Sequence, residues 1–165
     1  MPTYEIEKKY LVTHIPFSLE PYPYHVIEQG YLCTNPVVRI RKQGHAYYLT
    51  YKGSGLLKRV EYNLDLTKQA YEHLKEKVDG IVITKKRYLI PLTGSNYTIE
   101  LDLFEGHYQS LTLAEVEFPT EGEALTFQPP EWFSKDVTMD TTYYNSTMSM
   151  ATSTNVPLAT PNNFI

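Results

Sequence analysis

Residues 99–103 read Ile-Glu-Leu-Asp-Leu, and residues 114–118 read Ala-Glu-Val-Glu-Phe. Successive side chains of a β-strand point to opposite faces, so each stretch predicts a strand with one apolar face and one acidic face. A half-exposed sheet would explain either stretch taken alone. Carboxylates are poor strand formers, however, and two on the same face repel each other. The two acidic pairs therefore indicate that this face meets something other than water.

The same alternation, with charges of both signs, recurs along the chain. Glu5, Glu7 and Lys9 share one face of a predicted strand, and Arg39 and Arg41 share one face of another. Further charged faces carry Lys52, then Arg59, Glu61 and Asn63, then Lys85 and Arg87. Thr, Ser and Gln would suit a solvent-facing surface better, so we predict that the charged faces enclose a charged ligand.

A polyphosphate bound together with a divalent metal ion needs both signs of charge. Phosphoryl oxygens accept hydrogen bonds from Arg and Lys, and Arg contacts can be bidentate. Mg²⁺ or Mn²⁺ takes carboxylate oxygens, with water and phosphate completing the coordination shell. Closing about eight strands into a barrel would bring both sets of side chains into one narrow interior. The apolar faces would then point outward, where Tyr71, Leu74 and the segment 129–133 are candidates to cover them.

The order of elements predicts a mainly β protein of the α+β class, an eight-stranded antiparallel closed β-barrel with a few flanking helices. Turn formers separate the predicted strands, which cover residues 4–10, 26–33, 37–42, 46–52, 59–66, 81–92, 97–104 and 111–118. A helix is predicted over residues 67–78, with Thr67 as N-cap and Gly80 closing it, and a short one near 122–127. Residues 146–165 carry no charge, which predicts a loose tail. We divide the chain into a barrel domain, 1–149, and a flexible tail, 150–165.

Composition narrows the functional class. The chain has 165 residues, of which 42% are hydrophobic and 21% charged, and this suits one domain. A net charge of −4 and a pI of 5.7 argue against a surface for nucleic acid or anionic membrane. No signal peptide is visible, and no apolar run approaches the roughly 20 residues that span a bilayer. The single cysteine, Cys33, cannot form an internal disulfide, so we expect a cytoplasmic protein.

The charged segments, in their order along the chain, resemble a known family. Residues 5–9, Glu-Ile-Glu-Lys-Lys, match the ExExK signature of the CYTH superfamily, also called triphosphate tunnel metalloenzymes. That signature alone is weak, and the order of the later segments makes it specific. Those segments are Gln29-Gly30-Tyr31-Leu32, Arg39-Ile40-Arg41, 49–53, Arg59-Val60-Glu61-Tyr62, Lys86-Arg87-Tyr88, Glu100-Leu101-Asp102, 114–118, Pro129-Pro130-Glu131-Trp132, 136–140 and Tyr144-Asn145. The resemblance extends over residues 3–149.

The resemblance implies an eight-stranded antiparallel barrel whose tunnel acts on a triphosphate. By match to the family pattern, the triphosphate would be bound by Lys9, Arg39, Arg41, Lys52, Arg59, Lys85 and Arg87. A metal ion, Mg²⁺ or Mn²⁺, would be held by Glu5, Glu7, Glu115 and Glu117, with Glu100 and Asp102 nearby. Glu61 would bind a second metal ion or orient the attacking water. The predicted catalytic residues are therefore Glu61, Glu115 and Glu117.

Two positions depart from the family pattern. The family often has Glu two residues after the position of Glu61, and this chain has Asn63 there. A neutral amide would hold a second metal ion more weakly, or it would still ligate or hydrogen-bond adequately. After Asp140, Thr141 and Thr142 stand where a basic residue is often seen. The distal end of the phosphate site therefore has one expected cation fewer.

The predicted function is metal-dependent hydrolysis of a triphosphate inside the tunnel. Inorganic tripolyphosphate is the first candidate, followed by nucleoside and thiamine triphosphates. A class IV-type adenylate cyclase would use the same tunnel, although no adenine pocket is marked in the sequence. A non-catalytic polyphosphate-binding protein is the third hypothesis, and Asn63 supports it. The expected partner is a small-molecule triphosphate, with no nucleic acid or membrane, and the oligomeric state is either monomer or homodimer.

Overall fold

The computed structural model describes residues 3–151, and its central feature is a closed antiparallel β-barrel. Its strands are β1 (Thr3–Leu11), β2 (Tyr24–Thr34), β3 (Val37–Gln43), β4 (Ala46–Lys52), β5 (Lys58–Asp65), β6 (Asp79–Pro91), β7 (Thr98–Phe104) and β8 (Thr112–Glu117). Around the barrel they follow the order β1-β5-β4-β3-β2-β6-β7-β8, and β8 pairs back onto β1. Each predicted strand lies within two residues of an observed one at both ends. The predicted eight-stranded barrel is confirmed.

Short helices flank the barrel in the described part of the chain. They are α1 (Lys68–Lys75), α2 (Glu121–Thr126) and α3 (Asn145–Ser149), with 3₁₀ turns at Gly106–Tyr108 and Thr141–Tyr143. Helix α1 begins as predicted, because the Thr67 side chain accepts a hydrogen bond from the Ala70 backbone N–H at 3.1 Å. It ends three residues before the predicted end at residue 78. Within residues 3–151, no helix is long and apolar enough to cross a membrane.

The prediction that Gly80 closes α1 is wrong, because Gly80 belongs to β6. Its φ of 67° lies in the region that only glycine adopts readily. A Cβ atom on Gly80 would lie 2.0 Å from the backbone oxygen of Ser149. Glycine at this position therefore lets α3 pack directly against the barrel wall.

The hydrophobic core lies outside the barrel wall, as the alternation predicts. The outward faces of β1, β7 and β8 form one cluster with α2 and residue 133, made of Ile6, Tyr10, Val12, Ile90, Ile99, Leu101, Ala114, Val116, Phe118, Ala124 and Phe133. Helix α1 covers β3 and β4 with Tyr71, which is 0% exposed. Burial of one such side chain stabilises the fold by about 1.5–3 kcal/mol. The barrel interior is thereby left free for polar groups.

The segment that follows the barrel is ordered as far as residue 149. The prediction of a loose chain from residue 146 is wrong for its first residues, which belong to α3. Met148 is 1% exposed and packs in a second cluster with Val137, and the Tyr108 hydroxyl donates to the Met148 backbone oxygen at 2.7 Å. A helix this short has no periodicity that a sequence reveals, and tertiary packing stabilises it. The rest of the predicted tail, from residue 152 onward, lies outside the described residues.

Candidate active site

The barrel encloses a cavity of about 460 Å³, within the range of small-ligand sites. Thirteen of the side chains predicted to form the site line it: Glu5, Glu7, Lys9, Arg39, Arg41, Lys52, Arg59, Glu61, Lys85, Arg87, Glu100, Glu115 and Glu117. They come from all of the strands except β2, which contributes His25 and Tyr31 to the same cavity. The alternation along separate strands thus converges on one enclosed space.

One part of the wall, on β6, β7 and β8, is a network of buried ion pairs centred on Arg87. Its Nε and Nη2 atoms donate to the two oxygens of Asp102, each at 2.6 Å. Nη2 also donates to Glu115 at 2.6 Å, and Nη1 donates to Glu100. The bidentate contact follows from the strand register, in which Arg87 lies directly opposite Asp102. This guanidinium already has more than one negative partner.

Asp102 is the one predicted site residue that does not line the cavity. It is 0% exposed, and its second oxygen also accepts from Lys85 Nζ at 2.5 Å. Burial alone would raise its pKa, but the attraction of Arg87 and Lys85 outweighs burial and lowers the pKa. Asp102 is therefore a charged anchor buried beneath the lining side chains, and it shares the Arg87 guanidinium with Glu115.

Glu115 lies at the junction of this network with β1. Lys9 Nζ approaches Glu115 at 3.0 Å, and Arg87 holds the other oxygen. Although burial opposes ionisation, the nearby charges of Lys9 and Arg87 hold the pKa of Glu115 well below its ordinary value. Glu115 thus stays charged and joins cations from two strands.

The part of the wall on β3 has the opposite character. Arg39 donates through Nη2 to the Thr50 hydroxyl at 3.0 Å, and Arg41 donates through Nε to Gln29 at 2.9 Å and through Nη1 to Tyr48 at 3.3 Å. Within residues 3–151 no carboxylate lies within 4.0 Å of either guanidinium. In the same part of the chain, the buried Nε of Arg39 has no hydrogen-bond partner. Burial and the neighbouring Arg39 lower the pKa of Arg41. The two arginines therefore carry positive charge that no carboxylate within 4.0 Å neutralises in the described part of the chain.

Lys52 and Arg59 complete the cationic lining from β4 and β5. Lys52 Nζ lies 2.6 Å from Glu5 and 3.2 Å from Glu61, and Arg59 lies 3.5 Å from Glu5 and 3.7 Å from Glu7. Despite the opposing effect of burial, Lys52 and then Arg59 lower the pKa of Glu5 to about 2. Glu5 is therefore a firmly charged carboxylate shared by two cations.

Glu7 and Glu117 are carboxylates in excess of the local cations. They lie directly opposite each other on β1 and β8, where like charges destabilise a strand pair. Burial, together with repulsion from Glu5 and Glu115, raises the pKa of Glu7 to about 7. Burial and then Glu5 also raise the pKa of Glu117, which forms no ion pair within 4.0 Å in the described residues. A divalent cation would relieve this repulsion, so these residues fit the predicted metal ion.

No complete metal site is preassembled in the described part of the chain. Within residues 3–151, no three His, Cys, Asp or Glu side chains are already arranged to hold an ion. Mg²⁺ and Mn²⁺ usually take only one or two carboxylates and complete their shell with water and phosphate oxygens. The donor set of Glu5, Glu7 and Glu117 is compatible with an ion that binds together with a phosphate ligand.

Asn63 takes part in hydrogen bonds of the wall. Its Oδ1 accepts from the Thr50 hydroxyl at 2.6 Å, and its Nδ2 donates to Glu61 at 2.7 Å. The amide thus connects the partner of Arg39 with Glu61. Thr141 and Thr142, the other departure from the family pattern, are exposed and do not line the cavity.

Three residues at or beside the cavity were given no role from the sequence because they are uncharged, although they stand in segments quoted for the family resemblance. Tyr144 follows the barrel, and its ring centroid lies 5.2 Å from Lys9 Nζ and 5.4 Å from Arg59 Cζ. Asn145 accepts from Lys85 at 3.0 Å. Gln29 is 0% exposed and does not line the cavity itself, but it shares the inward face of β2 with Tyr31, which does. A search for charged pairs overlooks all three.

The fold and the cavity define a class: a closed antiparallel β-barrel whose interior is lined by both cations and carboxylates. The family model described as the CYTH domain matches residues 3–131. The chain therefore belongs to the CYTH family, and the resemblance seen in the sequence is confirmed.

Individual relatives agree with this assignment. An inorganic triphosphatase from Nitrosomonas europaea is 38% identical over 151 residues, covering 89% of this chain and 97% of that protein. An inorganic triphosphatase from Acetivibrio thermocellus is 34% identical over 149 residues, covering 87% of this chain and 92% of that protein. The crystal structure of an inorganic triphosphatase matches with a TM-score of 0.67 and 34% identity, covering 90% of this chain and 95% of that one.

Proposed function

We propose that this protein is a metal-dependent triphosphatase whose preferred substrate is inorganic tripolyphosphate. The observation that carries the proposal is the pair of buried arginines, Arg39 and Arg41, which have only uncharged partners in residues 3–151. Two buried cations without counterions need an anion of high charge density, and a phosphate chain supplies it. The names of the curated relatives support the choice of substrate.

The metal ion, Mg²⁺ or Mn²⁺, would be held by Glu7 and Glu117, with Glu5 nearby but already paired with Lys52 and Arg59. When bound, it would neutralise phosphate charge and acidify a water molecule. Of the other acidic residues predicted to bind metal, Glu100, Asp102 and Glu115 already accept from Arg87. We therefore propose that Asp102 and Glu115 contribute to activity by holding Arg87, Lys85 and Lys9 in place.

The remaining residues would act on the substrate by position and charge. Arg39 and Arg41 would bind phosphoryl oxygens and stabilise the charge that develops on the leaving group. Glu61 is our candidate to orient the attacking water, because it lines the cavity and its carboxylate is fixed by Asn63 and Lys52. Hydrolysis then needs no covalent intermediate, since preorganised charge accounts for most of the rate.

We further propose a cytoplasmic location and a small-molecule substrate. A lone cysteine, Cys33, suits a reducing compartment. The net charge of −4 disfavours nucleic acid as a ligand.

Phosphate release from tripolyphosphate, ATP and thiamine triphosphate, with Mg²⁺ or Mn²⁺ and with EDTA, tests the proposal. We expect metal-dependent release, fastest from tripolyphosphate. Arg39→Ala should abolish it. The matched control Lys42→Ala, which removes a cation from the opposite face of the same strand, should not. Cyclic AMP as the product from ATP would contradict the proposal in favour of a cyclase. Tight tripolyphosphate binding without phosphate release under either metal would contradict it in favour of a non-catalytic binding protein.

A further inference from the structure

Two uncharged side chains without a part in the proposed mechanism lie against the cations of the cavity. Gln29 on β2 is 0% exposed, and Asn145 at the start of α3 is 9% exposed. Arg41 Nε donates to Gln29 Oε1 at 2.9 Å, and Lys85 Nζ donates to Asn145 Oδ1 at 3.0 Å. Gln29 Nε2 donates to Asn145 Oδ1 at 3.0 Å. The two amides thus connect cations from β3 and β6 through a helix that follows the barrel.

The chemistry of the donors determines which way each amide points. Arg and Lys only donate, so each must face an amide oxygen. Gln29 turns its oxygen to Arg41, and its NH₂ group therefore faces Asn145 and the Tyr31 hydroxyl, the latter at 3.1 Å. Asn145 then offers its oxygen to both Gln29 and Lys85. With this arrangement the Gln29 NH₂ group, Arg41 Nε and Lys85 Nζ all have acceptors, and the two cations are held in a defined direction.

The neutrality of these acceptors is as important as their position. A carboxylate at either place would also accept a hydrogen bond from its cation, and the barrel uses carboxylates for this purpose around Arg87. A carboxylate would also neutralise Arg41 and compete with a phosphate for it. An amide fixes the side chain by a hydrogen bond that carries no net charge.

We propose that Gln29 and Asn145 are positioning residues. They orient Arg41 toward the phosphate groups of the substrate and leave its charge uncompensated, while Asn145 also holds Lys85 in the cavity wall. Their neutrality thereby sets the affinity of the cavity for a triphosphate. The inference rests on the proposed function only for the identity of the anion.

The test measures the affinity for inorganic tripolyphosphate by calorimetry in EDTA, so that neither metal nor turnover is involved. Gln29→Glu places a charge beside Arg41 with almost no change in size, and the Kd should rise roughly 10- to 100-fold. In Asn145→Asp, the two donors that face residue 145, Gln29 Nε2 and Lys85 Nζ, keep an acceptor. The Kd should rise roughly 3- to 10-fold, a smaller change because Lys85 already pairs with Asp102. Thr147→Asp adds the same charge to α3 at an exposed position, and the Kd should stay within about twofold.

Gln29→Met separates neutrality from orientation. It removes the acceptor without adding a charge, so the rise in Kd should be clearly smaller than for Gln29→Glu. Equal rises in the two variants would overturn the claim that neutrality sets the affinity. Kd values within twofold of the wild type for both acidic variants would overturn the whole inference. Should Gln29→Glu fail to fold, Asn145→Asp decides the matter by itself, because it leaves no buried donor unpaired.

Steady-state assays with metal separate KM from kcat, and a merely structural role would not change KM alone. For Asn145→Asp we expect a rise in KM that matches the rise in Kd, with kcat within about threefold of the wild type. A fall in kcat with unchanged KM would contradict the inference. A wild type that binds tripolyphosphate, shows the expected variant shifts and releases no phosphate would contradict only the proposed hydrolysis. A wild type that does not bind tripolyphosphate in EDTA would overturn the inference, and one that also releases no phosphate with metal would overturn both.

Discussion

Two parts of the cavity wall hold the same kind of side chain in opposite surroundings. On β3, Arg39 and Arg41 have only uncharged hydrogen-bond partners among the described residues. On β6, Arg87 donates to Asp102 and Glu115. The three arginines are almost equally buried, at 7%, 8% and 7% exposed. Residue type and burial therefore do not distinguish them, and only the charge of the partner does.

This difference separates binding from scaffolding within one cavity. A buried cation whose counterion is already present has little left to offer a ligand, while removal of that counterion is costly. A buried cation with neutral partners retains a demand for negative charge, which a phosphate group can satisfy. A cation that lines a cavity is thus a strong candidate for binding an anionic ligand only when its protein partners are uncharged.

The largest expected effect comes from removing the buried counterion of the β6 network. Asp102→Ala would leave Lys85 and Arg87 without their shared carboxylate, and we expect a loss of about 3–5 kcal/mol in the free energy of unfolding. Urea denaturation checks this. Glu100→Ala, which removes a more exposed carboxylate from the same Arg87, should cost much less. An unchanged unfolding midpoint for Asp102→Ala would break the distinction between the two parts of the wall.

Removal of a β3 arginine should show the reverse behaviour. Arg39→Ala should weaken tripolyphosphate binding by about 2–3 kcal/mol and leave the free energy of unfolding unchanged or raised, because no ion pair is lost. Calorimetry and thermal unfolding of the same preparation measure both quantities. Arg87→Ala serves as the counterpart, with its larger loss in stability. A loss of stability in Arg39→Ala equal to that in Arg87→Ala would remove the contrast.

A substitution of Glu7 tests whether the unpaired carboxylates on β1 and β8 destabilise the fold when no metal ion is bound. Its folded pKa of about 7 lies above the ordinary 4.5, so ionisation destabilises the fold as the pH rises from 4.5 through 7. In EDTA at pH 8, Glu7→Gln should therefore raise the free energy of unfolding by about 1–3 kcal/mol, with no gain at pH 4. Mn²⁺ should stabilise the wild type more than the variant. A variant less stable than the wild type at pH 8 in EDTA would contradict this interpretation.

The smallest expected effect concerns Glu5, the carboxylate shared by Lys52 and Arg59. Its folded pKa of about 2 lies below the ordinary 4.5, so its ion pairs stabilise the fold above pH 4.5 and are lost as the pH falls toward 2. The free energy of unfolding of Glu5→Gln should consequently decline about 1–2 kcal/mol less between pH 5 and pH 2.5 than that of the wild type. Parallel acid profiles for the two proteins would argue that Glu5 is not held in this way.

Much of the fold and of the cavity lining follows from local pattern. Alternation along residues 99–103 and 114–118 placed Glu100, Glu115 and Glu117 on the inward face, and the structure agrees. Asp102 shares that alternation but does not reach the cavity surface. Arg87, directly opposite on β6, and Lys85 cover its carboxylate. Alternation specifies the face of a strand, whereas depth depends on the partners across the strand register.

Helix α3 shows where local pattern is insufficient. Its few residues have no charge and no measurable period, yet Met148 is buried and Asn145 reaches Lys85, 60 positions away along the chain. Gly80 was interpreted as a helix end, although its real constraint is the close approach of Ser149. Such contacts join distant segments, and a search of neighbouring residues does not detect them.

By itself, the sequence determined the strands, their inward charged faces and the family, because a period of two along a strand and the order of charged segments are local properties. The tertiary structure alone decided which cations are neutralised and which remain free. Distances across the barrel depend on strand register and closure, and the energy of a buried charge depends on the partner within a few ångströms. Arg39 and Arg87 therefore look alike in the sequence and differ in the folded protein.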